Sequence, residues 1–275
     1  MALFDFASFV DDLATASGKA ILPFFRTAMA ASDKGGRDGR FDPVTEADKA
    51  GESAMRHLIK RAFPGHGIVG EEYGAEGEDA EYVWVLDPID GTRAFISGLP
   101  TWGTLIGLTR NGRPCYGLMH QPFTGERFFG DGGKATYRGP IPGSGSGSGR
   151  GLETGERRLR TRRCASLAEA TLSSTSPRLF APGAEREAFE RVEAAARNVR
   201  FGFDCYAYCM LAAGHVDLVI EAGLQVYDIV ALIPIVEGAG GVVTRWDGGD
   251  PAGGGAIVAS GDKRVHEEVL RLLAG

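Results

Sequence analysis

Five consecutive β-formers, Tyr82-Val83-Trp84-Val85-Leu86, run without a break into Asp87-Pro88-Ile89-Asp90-Gly91-Thr92. An apolar run of this length, rich in β-branched and aromatic residues, reads as a buried strand, so other layers must cover it. Its end carries two acids three positions apart, an odd choice for structure alone. Pro88 stiffens the backbone between them and Gly91 permits a sharp exit, so the two carboxylates can converge. Gly91 and Thr92 then open a short helix through Phe95, whose first N–H groups suit an anion. Carboxylates beside an anion need positive charge between them, and a hard divalent cation bound by oxygens supplies it. Asp-Pro and Asp-Gly are also ordinary turn dipeptides, so spacing alone leaves a structural turn open.

Around this strand the periodicity changes along the chain. Phe6, Val10, Leu13, Ile21 and Phe24 are spaced as one face of an N-terminal helix. Residues 32–42 read as a polar, Gly-rich loop. Thr45 and Asp48 make a capping-box pattern that starts a second helix, with Met55, Leu58 and Ala62 inward and Pro64-Gly65 as the stop. Two β-like runs, Thr104 to Arg110 and Pro114 to His120, flank Asn111-Gly112, a strong hairpin signal. A further run follows at Glu126–Phe129. The first half is therefore expected to pack helices on an antiparallel sheet. Residues 139–155 have the composition of a flexible linker, marking either the boundary between an N-terminal unit, 1–138, and a C-terminal unit, 156–275, or an expanded surface loop beside it. Beyond it come strands at Val216–Glu221, Val242–Trp246 and Ala256–Ser260, a helix over Asp228–Gly238 and a closing helix over Asp262–Leu273. Alternating strands and helices favour a mixed or mostly parallel sheet, so the class is α/β in layers. No internal repeat is present.

Thirty Lys and Arg against 36 Asp and Glu give a net charge of −6, which argues against a dedicated nucleic-acid partner. Arg157-Arg158-Leu159-Arg160-Thr161-Arg162-Arg163 reads instead as an exposed strand edge, where charge discourages aggregation. No apolar run approaches the roughly 20 residues of a membrane span. Asp5, Asp11 and Asp12 stand where a signal peptide is basic and then apolar, so a cytoplasmic protein is expected. Cys115, Cys164, Cys205 and Cys209 form no C-x-x-C pair and the five histidines are scattered, which makes a zinc centre improbable. Cys205 and Cys209, four apart, read as packing on one helix face.

Other acids stand where they can join the first two. Glu71 and Glu72 precede the strand, Asp48 lies in the first turn of the second helix, and Asp228 opens a later one. Four carboxylates within about 4 Å would repel by roughly 4 kcal/mol per pair at an effective dielectric of 20. Such a cluster protonates in part or collects cations, and two or more Mg²⁺ ions would let it clamp a phosphate. Each acid also has a plainer reading: Asp228 as a helix N-cap, Glu71 and Glu72 as solvated groups.

Three segments, taken together and in order, resemble the inositol-monophosphatase family. Glu71-Glu72 followed by Trp84-Val85-Leu86-Asp87-Pro88-Ile89-Asp90-Gly91-Thr92 is similar to its first signature. Tyr227-Asp228 through Glu237-Gly238-Ala239-Gly240-Gly241 is similar to its second, and Asp42-Pro43-Val44-Thr45-Glu46-Ala47-Asp48 to its early D-x-V-T-x-x-D segment. The resemblance implies a layered αβαβα sandwich, usually a homodimer, that is a Mg²⁺-dependent, lithium-sensitive phosphomonoesterase. It implies a first metal on Glu71, Asp87 and the Ile89 carbonyl, a second on Asp87, Asp90 and Asp228, and a weaker third helped by Glu71. Glu71 and Thr92, supported by Asp48, would orient and deprotonate the attacking water, and the Gly91 and Thr92 N–H groups would receive the phosphate.

Family members differ in the pocket for the leaving group, which by resemblance falls on Gly202-Phe203-Asp204 and Glu221. A carboxylate at Asp204, where inositol-type members usually carry a small residue, suggests a cationic substrate. Phe203-Asp204-Cys205-Tyr206-Ala207-Tyr208 and the segment from Tyr227 to Glu237 look like the bacterial histidinol-phosphate phosphatase branch. The expectation is hydrolysis of L-histidinol phosphate, with Asp204 and Glu221 reading its amine or imidazole and Asp90 and Asp228 also bordering the substrate. The alternatives are an inositol-1-phosphate, sugar-phosphate or 3′-phosphonucleotide phosphatase and, more remotely, a non-catalytic Mg²⁺-binding module.

Overall fold

The computed structural model describes residues 6–27, 32–33, 43–142 and 152–275. Asp42, most of the loop expected at 32–42 and residues 143–151 of the expected linker lie outside the described residues. Five layers stack along one axis. The outermost is a helix pair, α1 (Phe6–Ile21) and α2 (Glu46–Ala62). Thr45 caps α2, the Asp48 side chain returning to its backbone as the sequence pattern predicts. Val10, Leu13 and Ala14 of α1 join Met55 and Ile59 of α2 in a core against Trp84, Leu86, Ile106 and Leu118.

Those last four belong to the first sheet. Its strands are β3 (Gly67–Gly70), β4 (Gly74–Glu76), β5 (Tyr82–Asp90), β6 (Gly103–Arg110), β7 (Arg113–Gln121), β8 (Glu126–Gly130), β9 (Ala135–Pro142) and β10 (Leu152–Arg158). They lie in the order β10-β9-β8-β7-β6-β5-β3-β4. All neighbours run antiparallel except β3 and β5. Asn111 and Gly112 both take positive φ, 49° and 76°, so the β6–β7 hairpin turns as its dipeptide predicts. Val83 through Ile89 are all buried, as a strand covered on both faces must be.

The expected linker is partly strand. Gly139 pairs with Gly155 and Pro142 with Leu152, so the first sheet runs on to Arg158 instead of ending at residue 138. Backbone pairing supplies what the composition lacks, and Ile141 lies over Gly155 where a Cβ would meet it at 2.1 Å. β10 is the sheet edge, with Arg157 and Arg158 exposed on it.

The middle layer is helical: α5 (Asp204–Ala212), α6 (Val226–Ile229) and α7 (Leu232–Gly238). The single helix expected over 228–238 is broken at Val230 and Ala231, because Pro234 has no N–H for the Val230 carbonyl and crowds it. Beneath lies the second sheet: β11 (Thr171–Ser174), β12 (Asn198–Phe201), β13 (Leu218–Leu224), β14 (Val242–Arg245) and β15 (Gly255–Ser260), in the order β12-β11-β13-β15-β14. β12, β11 and β13 are parallel while β13, β15 and β14 are antiparallel, a mixed sheet. Leu105, Met119 and Phe128 of the first sheet and Val219 and Ile257 of the second enclose one core with α5 and α7, where Cys205 and Cys209 are packed. The last layer is α4 (Ala184–Ala195) with α8 (Lys263–Ala274), which Asp262 caps. Among the described residues no helix is long and apolar enough to cross a membrane.

A row of glycines sets the distance between first sheet and middle layer. Gly107, Gly117 and Gly130 are register partners on β6, β7 and β8. A Cβ on Gly117 would lie 1.8 Å from the Ala231 carbonyl oxygen, and one on Gly130 2.2 Å from that of Pro234. The α6–α7 segment therefore rests directly on sheet backbone, which brings α6 against the end of β5.

Candidate active site

In a regular strand, residues three apart point to opposite faces. Asp87 and Asp90 escape this through a bulge: Asp87 is level with Leu105 and Asp90 with Gly103, so β5 has one residue more than β6 between them. The extra residue turns the strand and re-aims the second carboxylate. The buried Thr104 hydroxyl fixes the bulge by donating to the Pro88 carbonyl at 2.8 Å. Ile89 N–H donates to Asp87 Oδ1 at 3.0 Å, and Cys205 N–H, from α5, donates to Asp90 Oδ2 at 2.6 Å.

Asp228 arrives from the middle layer. It is not the N-cap of its helix: Gln225 is the cap, its N–H donating to Asp228 Oδ2 at 2.7 Å, and Asp228 stands three residues on. One carboxylate oxygen each from Asp87, Asp90 and Asp228 lie within 4.8 Å of one another. That span is about twice a metal–oxygen bond of roughly 2.0–2.6 Å, so one ion could touch all three. Glu71, just after β3, comes within hydrogen-bonding reach of Asp87. Burial, then the negative charges of Glu71, Asp90 and Asp228, pushes the Asp87 carboxyl well above the usual carboxylate range. Burial, then Asp204 and Asp228, does the same to Asp90, against the opposing Cys205 hydrogen bond. Acids that raise one another in this way, offering only hard oxygen donors, fit a divalent cation.

The other expected residues divide. The Ile89 carbonyl accepts the Thr92 hydroxyl at 3.1 Å, which places both beside the cluster. Gly91, at φ 85°, caps the short helix α3 (Thr92–Ile96). A Cβ there would lie 3.1 Å from the Asp204 side chain, so Asp204 sits against the turn that leaves the acids. Asp48 accepts the Thr45 N–H at 2.8 Å at the start of α2. The strand leading into it, β2 (Pro43–Val44), which pairs with β1 (Ser32–Asp33), borders α3.

Asp204 adopts φ 44°. Burial raises its carboxyl to about 6, against a Thr175 hydrogen bond and the charge of Arg93. Glu221, 2% exposed on β13, accepts Thr175 N–H on Oε1 at 2.7 Å, while its buried Oε2 has no hydrogen-bond partner among the described residues. Burial, and after it the charges of Asp204 and Asp90, pushes Glu221 well above its ordinary value. Gly202 stands apart: it is exposed, at φ 88°, and a Cβ there would meet nothing within 4 Å. Sequence reasoning missed Thr104 and could not place Thr175, in the 173–176 segment. A lone threonine carries no motif, and Thr175 matters only because β11 lies beside β13.

Comparison with known proteins agrees with this geometry. The sequence pattern of the inositol monophosphatase family matches residues 5–274. The chain is 42% identical, over 98% of its length and 75% of the relative's, to the bifunctional phosphatase IMPL2, chloroplastic, of Arabidopsis thaliana. It is 37% identical, over 85% of each chain, to a histidinol-phosphatase of Mycobacterium tuberculosis. A solved inositol monophosphatase from Zymomonas mobilis superposes with a TM-score of 0.80 at 36% identity, covering 98% of this chain and 97% of that one. A carboxylate cluster on a bulged strand, five stacked layers and these likenesses lead to one conclusion: the chain belongs to the inositol monophosphatase family and is a metal-dependent phosphoric monoester hydrolase acting on small phosphorylated substrates.

Proposed function

We propose that the protein hydrolyses L-histidinol phosphate to L-histidinol and phosphate, with Mg²⁺ as its metal. Asp87, Asp90, Asp228, Glu71 and the Ile89 carbonyl would hold two to three ions. Bound divalent cations supply a lowered pKa for water and neutralise the charge of the ester. Glu71 takes a proton from the attacking water, Thr92 orients that water, and Asp48 supports them from the start of α2. The new P–O bond forms as the ester P–O bond breaks, and the leaving alkoxide takes up a proton. The first turn of α3, at Gly91 and Thr92, receives the phosphate, and no residue is phosphorylated. Inhibition by lithium and a cytoplasmic homodimer belong to the same reading.

The observation that carries the substrate is the buried, unpartnered Glu221 Oε2 beside Asp204. A polyol hydroxyl would satisfy one such oxygen, whereas two neighbouring carboxylates favour an ammonium or imidazolium. Gly202 would act by shaping the turn into Asp204. The 37% identity to a histidinol-phosphatase supports this choice. Inositol 1-phosphate is the second reading, favoured by the likeness to the Zymomonas mobilis inositol monophosphatase.

Phosphate release with Mg²⁺ on L-histidinol phosphate, inositol 1-phosphate, fructose 1,6-bisphosphate and 3′-phosphoadenosine 5′-phosphate decides between them. The expected preference for histidinol phosphate is about a hundredfold in kcat/KM, or some 2.7 kcal/mol of transition-state binding. In Asp204→Ala that preference should fall by at least tenfold. Comparable rates on inositol 1-phosphate would remove the substrate assignment and leave the metal chemistry in place.

A further inference from the structure

Glu52 lies midway along α2 with no exposed surface. A leucine would fill such a position more cheaply, so an acid there calls for a reason. Arg56, one turn on, donates through Nε to Oε1 at 2.7 Å. The other two contacts come from the chain just past Glu71. Glu72 N–H donates to Oε2 at 2.7 Å and Tyr73 N–H to Oε1 at 3.3 Å. Arg56 extends the same grip, donating to the Gly74 carbonyl and, at 3.2 Å, to Glu76. On the other side, Glu71 N–H donates to the carbonyl of Leu86, the residue before Asp87. The main chain is thus held on both sides of Glu71.

Gly70 completes the seat. A Cβ on it would lie 2.0 Å from Glu52 Oε1 and 2.4 Å from its carboxyl carbon, so only glycine lets the carboxylate reach these amides. We propose that Glu52, seated on Gly70 and charge-paired with Arg56, is a positioning residue for the metal centre: it fixes the chain after Glu71 and so aims the Glu71 carboxylate at Asp87. The inference rests on reading Glu71 as a metal ligand. Loss of groups that orient a ligand typically costs 10- to 100-fold in metal affinity.

The test is calorimetric titration of the full chain with Mg²⁺, together with its melting temperature in EDTA, for the unaltered protein, Glu52→Gln, Gly70→Ala, their double variant and Glu71→Gln. Glu52→Gln and Gly70→Ala should each weaken Mg²⁺ binding at least tenfold. The double variant should lose little more than the worse single one, because both disturb the same contact. If Glu52→Gln fails to fold, Gly70→Ala carries the test alone. A lower melting temperature with Mg²⁺ affinity within threefold of the unaltered protein, in whichever of these two variants folds, would assign Glu52 to the fold only and overturn the proposal, provided Glu71→Gln still weakens binding. Unchanged binding in Glu71→Gln would instead remove the ligand reading, and the inference with it.

Discussion

Glu52 and Asp87 are both sealed from solvent, at 0% and 1% exposure, yet their surroundings are opposite in sign. Glu52 is ringed by donors: an arginine and two amides. Asp87 has one amide, from Ile89, and is otherwise pressed by Glu71, Asp90 and Asp228. Burying a carboxylate costs several kcal/mol unless something compensates it. The chain compensates Glu52 from within; on the proposed reading, Asp87 is left to a cation from outside. Burial alone therefore does not separate an acid that the chain itself satisfies from one that its neighbours repel; the sign of those neighbours does.

Removing each charge breaks this contrast most directly. Asp87→Asn should lower phosphate release by roughly 10³-fold or more, about 4 kcal/mol of barrier. It should also raise the melting temperature in EDTA, since a repelling charge is gone. Glu52→Ala should do the reverse in EDTA and strand Arg56, at a cost of about 3–5 kcal/mol. Differential scanning calorimetry without metal reads both signs. Two shifts in the same direction would show that the two acids do not differ as described.

The glycine row offers a break from the side of the fold. Gly117→Ala places a methyl where the Ala231 carbonyl now lies, and main chain cannot step aside as a side chain can. The expected cost is about 1–3 kcal/mol. For a chain of this size that is a drop of several degrees at roughly 2–4 °C per kcal/mol. Because α6 is displaced with Asp228, Mg²⁺ binding should weaken as well. Thermal melts with and without Mg²⁺ check this; an unchanged metal-induced gain in melting temperature would mean that the row holds the layers together but does not place Asp228.

What was legible in the sequence was local. The Tyr82–Leu86 strand, the Asn111-Gly112 hairpin, the Thr45 capping box and the closing helix each follow from a period or a dipeptide that the backbone obeys wherever it lies. Asp87 and Asp90 were legible as a pair from the turn between them, but Asp228 joined them only through the family likeness, since nothing in the spacing brings β5 and α6 together. Features that depend on a partner far along the chain were hidden. The bulge exists by register against Leu105 and Gly103, and Gly117 is needed because of Ala231, over a hundred residues on. Glu52 looks like any helix acid until the 70–73 segment is laid against it. The 139–155 stretch misled for the same reason: its composition is that of a linker, and only pairing in the sheet makes strand of both its ends.

The smallest expected effect sharpens the contrast through pH. Asp87, Asp90 and Glu221 are held above their ordinary values, and Asp204 is raised to about 6. Between an unfolded value of about 4 and these higher ones, the folded chain binds protons that the unfolded chain has released. Their contribution to stability is full below about pH 4 and is lost as pH rises through the folded values. Asp262, held low by its hydrogen bond to Arg264, works the other way: its contribution is present above about pH 4 and is lost as pH falls through its folded value. The melting temperature in EDTA should therefore pass through a maximum in mild acid and decline across pH 5–7, by a few degrees in all. On the proposed reading, excess Mg²⁺ would bind the deprotonated acids, so it should flatten or reverse that decline while changing little at pH 4. Parallel pH curves with and without Mg²⁺ would show that the buried acids do not discharge their repulsion onto the metal.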